Sequence, residues 1–205
     1  MIGTLVGIGI AIEVTARRAV AIGRVNTWVG MSAAFVLLSA GSLLTGEVHL
    51  SAEPVGTVIG VALVVAVLFF VATRLFLKVA SRWGRFLRDE ARLFQVRDVY
   101  PVRLEVALGA AVACGEEIFW RGLVMPWAQA RVGSTAAGAL LALGGYVAVS
   151  VAAMSVPVVL GALVGGAVWT VLAVWSGGVL AGMICHGTWT ALMIAFPPAE
   201  VPTAT

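Results

Sequence analysis

An all-α bundle threaded repeatedly through a bilayer is the fold class this chain predicts, and three observations predict it. Charged residues make up only 11% of the 205 residues while apolar ones make up 61%. A water-facing domain needs about 25% charged residues, so a soluble globular enzyme is excluded. Apolar runs of about 20 residues, the length a helix needs to cross the hydrocarbon core, recur along the chain. Twenty-four glycines supply the small surfaces that let membrane helices approach closely.

Taken in order, the runs predict six transmembrane helices: Thr27–Thr45, Pro54–Leu77, Leu104 to about Trp127, Ser134–Met154, Val156–Trp175 and Gly177–Phe196. Gly, Pro, Ser and Thr punctuate the joints between them, as at Gly133-Ser134 and Ser176-Gly177. Ile2–Ile12 is apolar but short and is followed by Glu13, Arg17 and Arg18, so it is a seventh candidate, either a partial span or an interfacial segment. Met1 opens that run without a basic region, and no cleavable signal peptide is expected. Residues 1–205 read as one membrane domain. Cys114 and Cys185 fall inside apolar runs and read as small packing residues.

Basic residues set the expected orientation. Eleven of the thirteen Lys and Arg residues lie in two segments, 17–24 and 74–103, and cytoplasmic loops are the ones enriched in these residues. Both segments are therefore expected on the cytoplasmic side of a plasma membrane, with His49 in an outward loop. The clustering is topological, and no nucleic-acid partner is expected. Between Arg74 and Arg103, Val79, Trp83, Leu87 and Phe94 recur at roughly helical spacing among the arginines. That pattern predicts an amphipathic helix lying on the inner leaflet.

Against this apolar background one run stands out: Gly115-Glu116-Glu117-Ile118-Phe119-Trp120-Arg121. Intramembrane carboxylates are costly and rare, and by default they mark function. On a helix Glu117 and Arg121 are four apart and can pair. Glu116 points about 100° away and has no obvious local partner, which leaves it free to polarise a water. A purely structural reading of the same side chains is a buried ion network that ties helices together. His186, in the middle of the last apolar run, is the second polar element, with Thr190 one turn further along its face. Glu116 lies about 20 Å from one end of its span and His186 about 13 Å from the opposite end of its own, so the two can meet within a core about 30 Å thick.

These residues resemble a known family. The Glu-Glu-x-x-x-Arg motif, followed about 65 residues later by His-x-x-x-Thr, is similar to the motifs of the CAAX protease and bacteriocin-processing (Abi) family of intramembrane endopeptidases. The resemblance covers roughly 104–196, a catalytic core preceded by N-terminal helices and a basic interfacial segment over 1–103. It implies that Glu116 activates the attacking water, that Glu117 and Arg121 support it, and that His186 stabilises the oxyanion with Thr190. The family's middle motif, Phe-x-x-x-His, has its best counterpart in Tyr146 to Ser150. There serine replaces the histidine that would share the water with the glutamate. No cofactor and no metal is expected, since His186, Glu116 and Glu117 make a poor zinc set.

The expected activity is hydrolysis of a peptide bond in a membrane-proximal or lipidated protein. Two other readings use the same residues. A catalytically impaired relative, serving as an immunity, scaffolding or substrate-holding protein, follows from Ser150. A small transporter would use the acidic pair as an ion site.

Overall fold

The computed structural model of the chain describes residues 1–80, 82–94 and 99–197. No strand occurs among them. Nine α-helices follow in order: α1 (Ile2–Ala21), α2 (Thr27–Leu43), α3 (Val55–Ala80), α4 (Gly84–Phe94), α5 (Val102–Phe119), α6 (Met125–Val132), α7 (Thr135–Ser150), α8 (Val156–Ser176) and α9 (Leu180–Ala195). A π-helical turn over Trp120–Val124 joins α5 to α6, and a 3₁₀ turn over Val151–Ala153 extends α7.

Three of these helices are long and apolar enough to cross a membrane: α3, α7 with its 3₁₀ turn, and α8. Helices of this length and composition are those of an integral membrane protein. The helices α2 and α9 are apolar but shorter, with 17 and 16 residues. The expected short apolar segment at the start is instead part of a continuous helix of 20 residues, which runs through Glu13 and Arg17. The expected single span from Leu104 to Trp127 is α5 continued through the π turn into the start of α6.

Local chemistry explains the boundaries. Asn26 caps α2, its side chain accepting from the N–H groups of Trp28 (2.9 Å) and Val29 (3.4 Å). Ser134 does the same for α7 through Ala137 N–H at 3.3 Å. The loop carrying His49 folds against the α8–α9 joint. There the carbonyls of His49 and Leu50 accept from Val179 and Leu180, at 3.0 and 2.9 Å, and satisfy donors at the start of α9.

The helix α5 lies against α2 on one side and α9 on the other, while α9 also packs on α3 and α8. Close approach to α2 depends on Gly115, where an added Cβ would sit 2.8 Å from Phe35 Cβ. That contact holds the next two residues, the glutamates, against the rest of the bundle. A core of Phe35, Phe119, Trp120, Leu123, Tyr146 and Trp169 surrounds them.

The amphipathic helix expected between Arg74 and Arg103 is α4, and it is shorter than that segment. Arg74, Lys78 and Val79 belong to α3. Trp83 is exposed just before α4, and the buried aromatic is Phe86, packed edge-on to Phe76. Asp89 ties α4 to α8 by accepting from Val156 N–H at 3.1 Å. Arg97 and the side chains of Arg85, Arg92 and Phe94 lie outside the described residues.

Candidate active site

Glu116 and Glu117 occupy the last turn of α5 and are both buried. Being successive, they diverge by about 100° around the helix, and each reaches a different set of partners.

Glu117 faces α8 and α9. Its Oε1 accepts from Arg121 Nη1 at 3.2 Å and lies 3.0 Å from His186 Nδ1. Arg121 is itself held from α8: its Nη2 donates to the Gly166 carbonyl at 2.8 Å and to Thr170 Oγ1 at 3.3 Å. The guanidinium lies 4.8 Å from the centre of the Tyr146 ring, within cation–π range. His186 stacks on Trp169, ring centres 3.4 Å apart and planes 13° from parallel. Stacking fixes the imidazole plane and Glu117 fixes its rotation. Because the carboxylate can only accept, Nδ1 carries the proton and Nε2 is the nitrogen left for other chemistry. Glu117 is thus the orienting partner of His186.

Glu116 faces α1 and α7. Arg17 Nη2 donates to its Oε1 at 2.9 Å, and the Tyr146 hydroxyl donates to its Oε2 at 2.5 Å. The expected lack of a local partner is not contradicted, but the expectation that this leaves the carboxylate free is corrected. The partners lie on other helices, 99 positions before it and 30 after it. Arg17 is corrected as well. Instead of lying in a basic cytoplasmic loop, it is buried on α1, bonded through Nε to Glu13 Oε1 at 2.8 Å.

Glu116, His186 and Thr190 line one cavity of about 210 Å³, bounded by α2, α5 and α9. Its other walls include Trp28, Met31 and Ile194, so a few polar groups project into an otherwise apolar space. Tyr146 is at the site through its hydroxyl. Ser150 is not: it is fully buried, does not line the cavity, and donates to the Tyr146 carbonyl at 2.8 Å. The serine one turn after Tyr146 points along its own helix, so it does not occupy the place of a water-sharing histidine. Cys185 is buried and Cys114 half-buried, both as free thiols. Among the described residues, no three His, Cys, Asp or Glu side chains form a group that could hold a metal ion.

Residues 100–192 match the family model described as type II CAAX prenyl endopeptidase, Rce1-like. This segment, a little under half of the chain, is similar to that family. The resemblance carried by the Glu-Glu-x-x-x-Arg motif is borne out, and the family is one of intramembrane endopeptidases. Neither a curated protein nor a solved structure matches the chain.

The Rce1-like segment contains Glu116, Glu117, Arg121, Tyr146, His186 and Thr190 but not Glu13 or Arg17. The sequence did carry a signal for these two, as an acid and a base four apart inside an apolar helix. Trp120 completes their setting, its Nε1 donating to Glu13 Oε2 at 2.8 Å. Trp169, which stacks on His186, had no signal beyond being an aromatic in a span.

Proposed function

We propose that the chain is a membrane-embedded endopeptidase that hydrolyses a peptide bond in a membrane protein or lipidated peptide by means of a water activated by Glu116. The observation that carries this reading is the shared cavity of Glu116, His186 and Thr190. A carboxylate has roughly four acceptor positions, so the bonds from Arg17 and Tyr146 leave Glu116 able to accept from a water. As that water attacks the peptide carbonyl carbon, its proton passes to Glu116. His186 addresses the oxyanion through Nε2 when both ring nitrogens are protonated, and the Thr190 hydroxyl supplies a second donor. Collapse of the tetrahedral intermediate breaks the C–N bond, and Glu116 returns the proton to the leaving amine. In this reading six helical spans cross a plasma membrane, with residues 18–24 and 74–103 towards the cytoplasm and 104–196 as the catalytic core of one domain.

The test is cleavage of membrane-tethered reporter peptides by the purified protein in detergent. Glu116→Gln is expected to abolish cleavage while thermal unfolding stays cooperative. Equal cleavage by wild type and Glu116→Gln would remove the reading. A second reading, a non-catalytic relative that holds its client, is favoured by one observation: Ser150 offers nothing to the cavity. It predicts client capture that is unchanged in Glu116→Gln, with no turnover by either protein.

A further inference from the structure

Two one-turn pairs face each other across the interface of α1 and the end of α5. On α1 they are Glu13 and Arg17, four apart; on the other side they are Glu116 and Trp120, also four apart. Arg17 Nη2 reaches Glu116 Oε1 at 2.9 Å, and Trp120 Nε1 reaches Glu13 Oε2 at 2.8 Å. Within α1, Glu13 Oε1 holds Arg17 at both Nε (2.8 Å) and Nη2 (2.7 Å). Equal spacing on both helices lets the two cross-helix bonds form in one register. A slide of either helix by one residue would break both.

Placement of the guanidinium separates its role from that of a group in the reaction. Arg17 is buried and is not part of the cavity wall, whereas Glu116 is. Arg17 fixes one oxygen of Glu116 and Tyr146 fixes the other. Two anchors set the carboxylate plane, and with it the direction of the acceptor positions left for water. Without Arg17, rotation about the Glu116 side-chain bonds would be restrained by Tyr146 alone.

We propose that Arg17 is a positioning residue for Glu116, so that α1, which lies outside the Rce1-like segment, completes the active site. The inference rests on the endopeptidase reading above. It extends the functional unit from residues 100–192 to Arg17, 83 positions before that segment begins.

The experiment compares full-length wild type, Arg17→Lys, Arg17→Gln and the double variant Glu13→Gln/Arg17→Gln in detergent. The double variant removes one charge of each sign, which keeps a folded protein available if Arg17→Gln alone does not fold. Its kcat is expected to fall about 10- to 100-fold, the scale that attends a misplaced catalytic group, while KM stays within about twofold. Arg17→Lys restores a cation beside Glu116 and should recover most of the lost kcat. A purely structural Arg17 would instead lower the folded fraction and leave kcat per folded molecule unchanged. The inference is overturned if the folded double variant turns over like wild type, or if lysine is no better than glutamine. Absence of cleavage by wild type removes the endopeptidase reading first, and this role with it. Cleavage by wild type and the double variant alike removes this role alone.

Discussion

At Gly182 the last helix leaves room for Glu117: a Cβ there would lie 2.7 Å from Glu117 Oε2. A carboxylate on a flexible side chain could ordinarily swing away. Here Oε1 is held by Arg121 and His186, so displacement of one oxygen loosens the other. Gly182→Ala is therefore expected to cost about 1–3 kcal/mol, the usual range for overpacking, and to lower kcat because His186 loses its orienting partner. Thermal unfolding and turnover in detergent check both, and wild-type turnover would show that Glu117 does not govern His186. Ser150 gives the opposite expectation. Its hydroxyl serves only the carbonyl one turn back, so Ser150→Ala should leave turnover within about threefold and stability within about 1 kcal/mol. A larger loss of kcat would return Ser150 to the site. The motif residues were legible because charge in an apolar run is conspicuous. Gly182 and Trp169 were not, because they act by space and stacking, which no residue-type pattern distinguishes from ordinary packing.

Helix ends decide where cavity walls stand. The start of α2 supplies Thr27, Trp28 and Met31 to the cavity, and Asn26 satisfies two free N–H groups of its first turn. Asn26→Ala should cost about 1 kcal/mol and fray the wall that a substrate would meet. It is expected to raise KM more than it lowers kcat, since Glu116 and His186 lie on other helices. Steady-state kinetics separates the two, and a loss confined to kcat would contradict the assignment of α2 as a substrate wall. The π turn over Trp120–Val124 does comparable work beside the glutamates, and π turns often occur at functional sites. Its i→i+5 bond, Met125 N–H to the Trp120 carbonyl, follows from packing of the whole bundle. Hydrophobic periodicity therefore read straight through it. The same limit concealed α1: a window that looks for apolar runs stops at Glu13, although Glu13 and Arg17 satisfy each other and the helix continues.

Across the whole molecule, the apolar surface and the basic residues point to one arrangement in the bilayer. Outward positions of α3 such as Val64 and Leu68 are 60% and 64% exposed, an apolar face suited to lipid and poorly suited to water. Arg82 and Arg88 are exposed beyond the end of α3, and Arg74 donates to the Phe196 carbonyl at 2.8 Å, so the basic end of α3 meets the C-terminal end of α9. Glu47, His49 and Glu53 lie in the loop at the other end of α3. Composition made the all-helical class and the membrane legible, because 11% charged residues cannot cover a water-facing surface. The count of spans was less legible, since hydropathy reports apolar length and α2 and α9 are shorter than the runs that contain them. From the excess of Lys and Arg we propose that the basic end faces the cytoplasm. Glu53→Cys and Arg82→Cys, both at exposed positions, provide the test on intact cells with a membrane-impermeant maleimide. Glu53→Cys is expected to label at once, and Arg82→Cys only after permeabilisation; Cys185 is buried and Cys114 half-buried, so a Cys114→Ala background keeps the readout clean. Labelling in the reverse order would invert the protein in the membrane. It would also turn the loop that braces the start of α9, and with it the end of the bundle nearest His49, towards the cytoplasm.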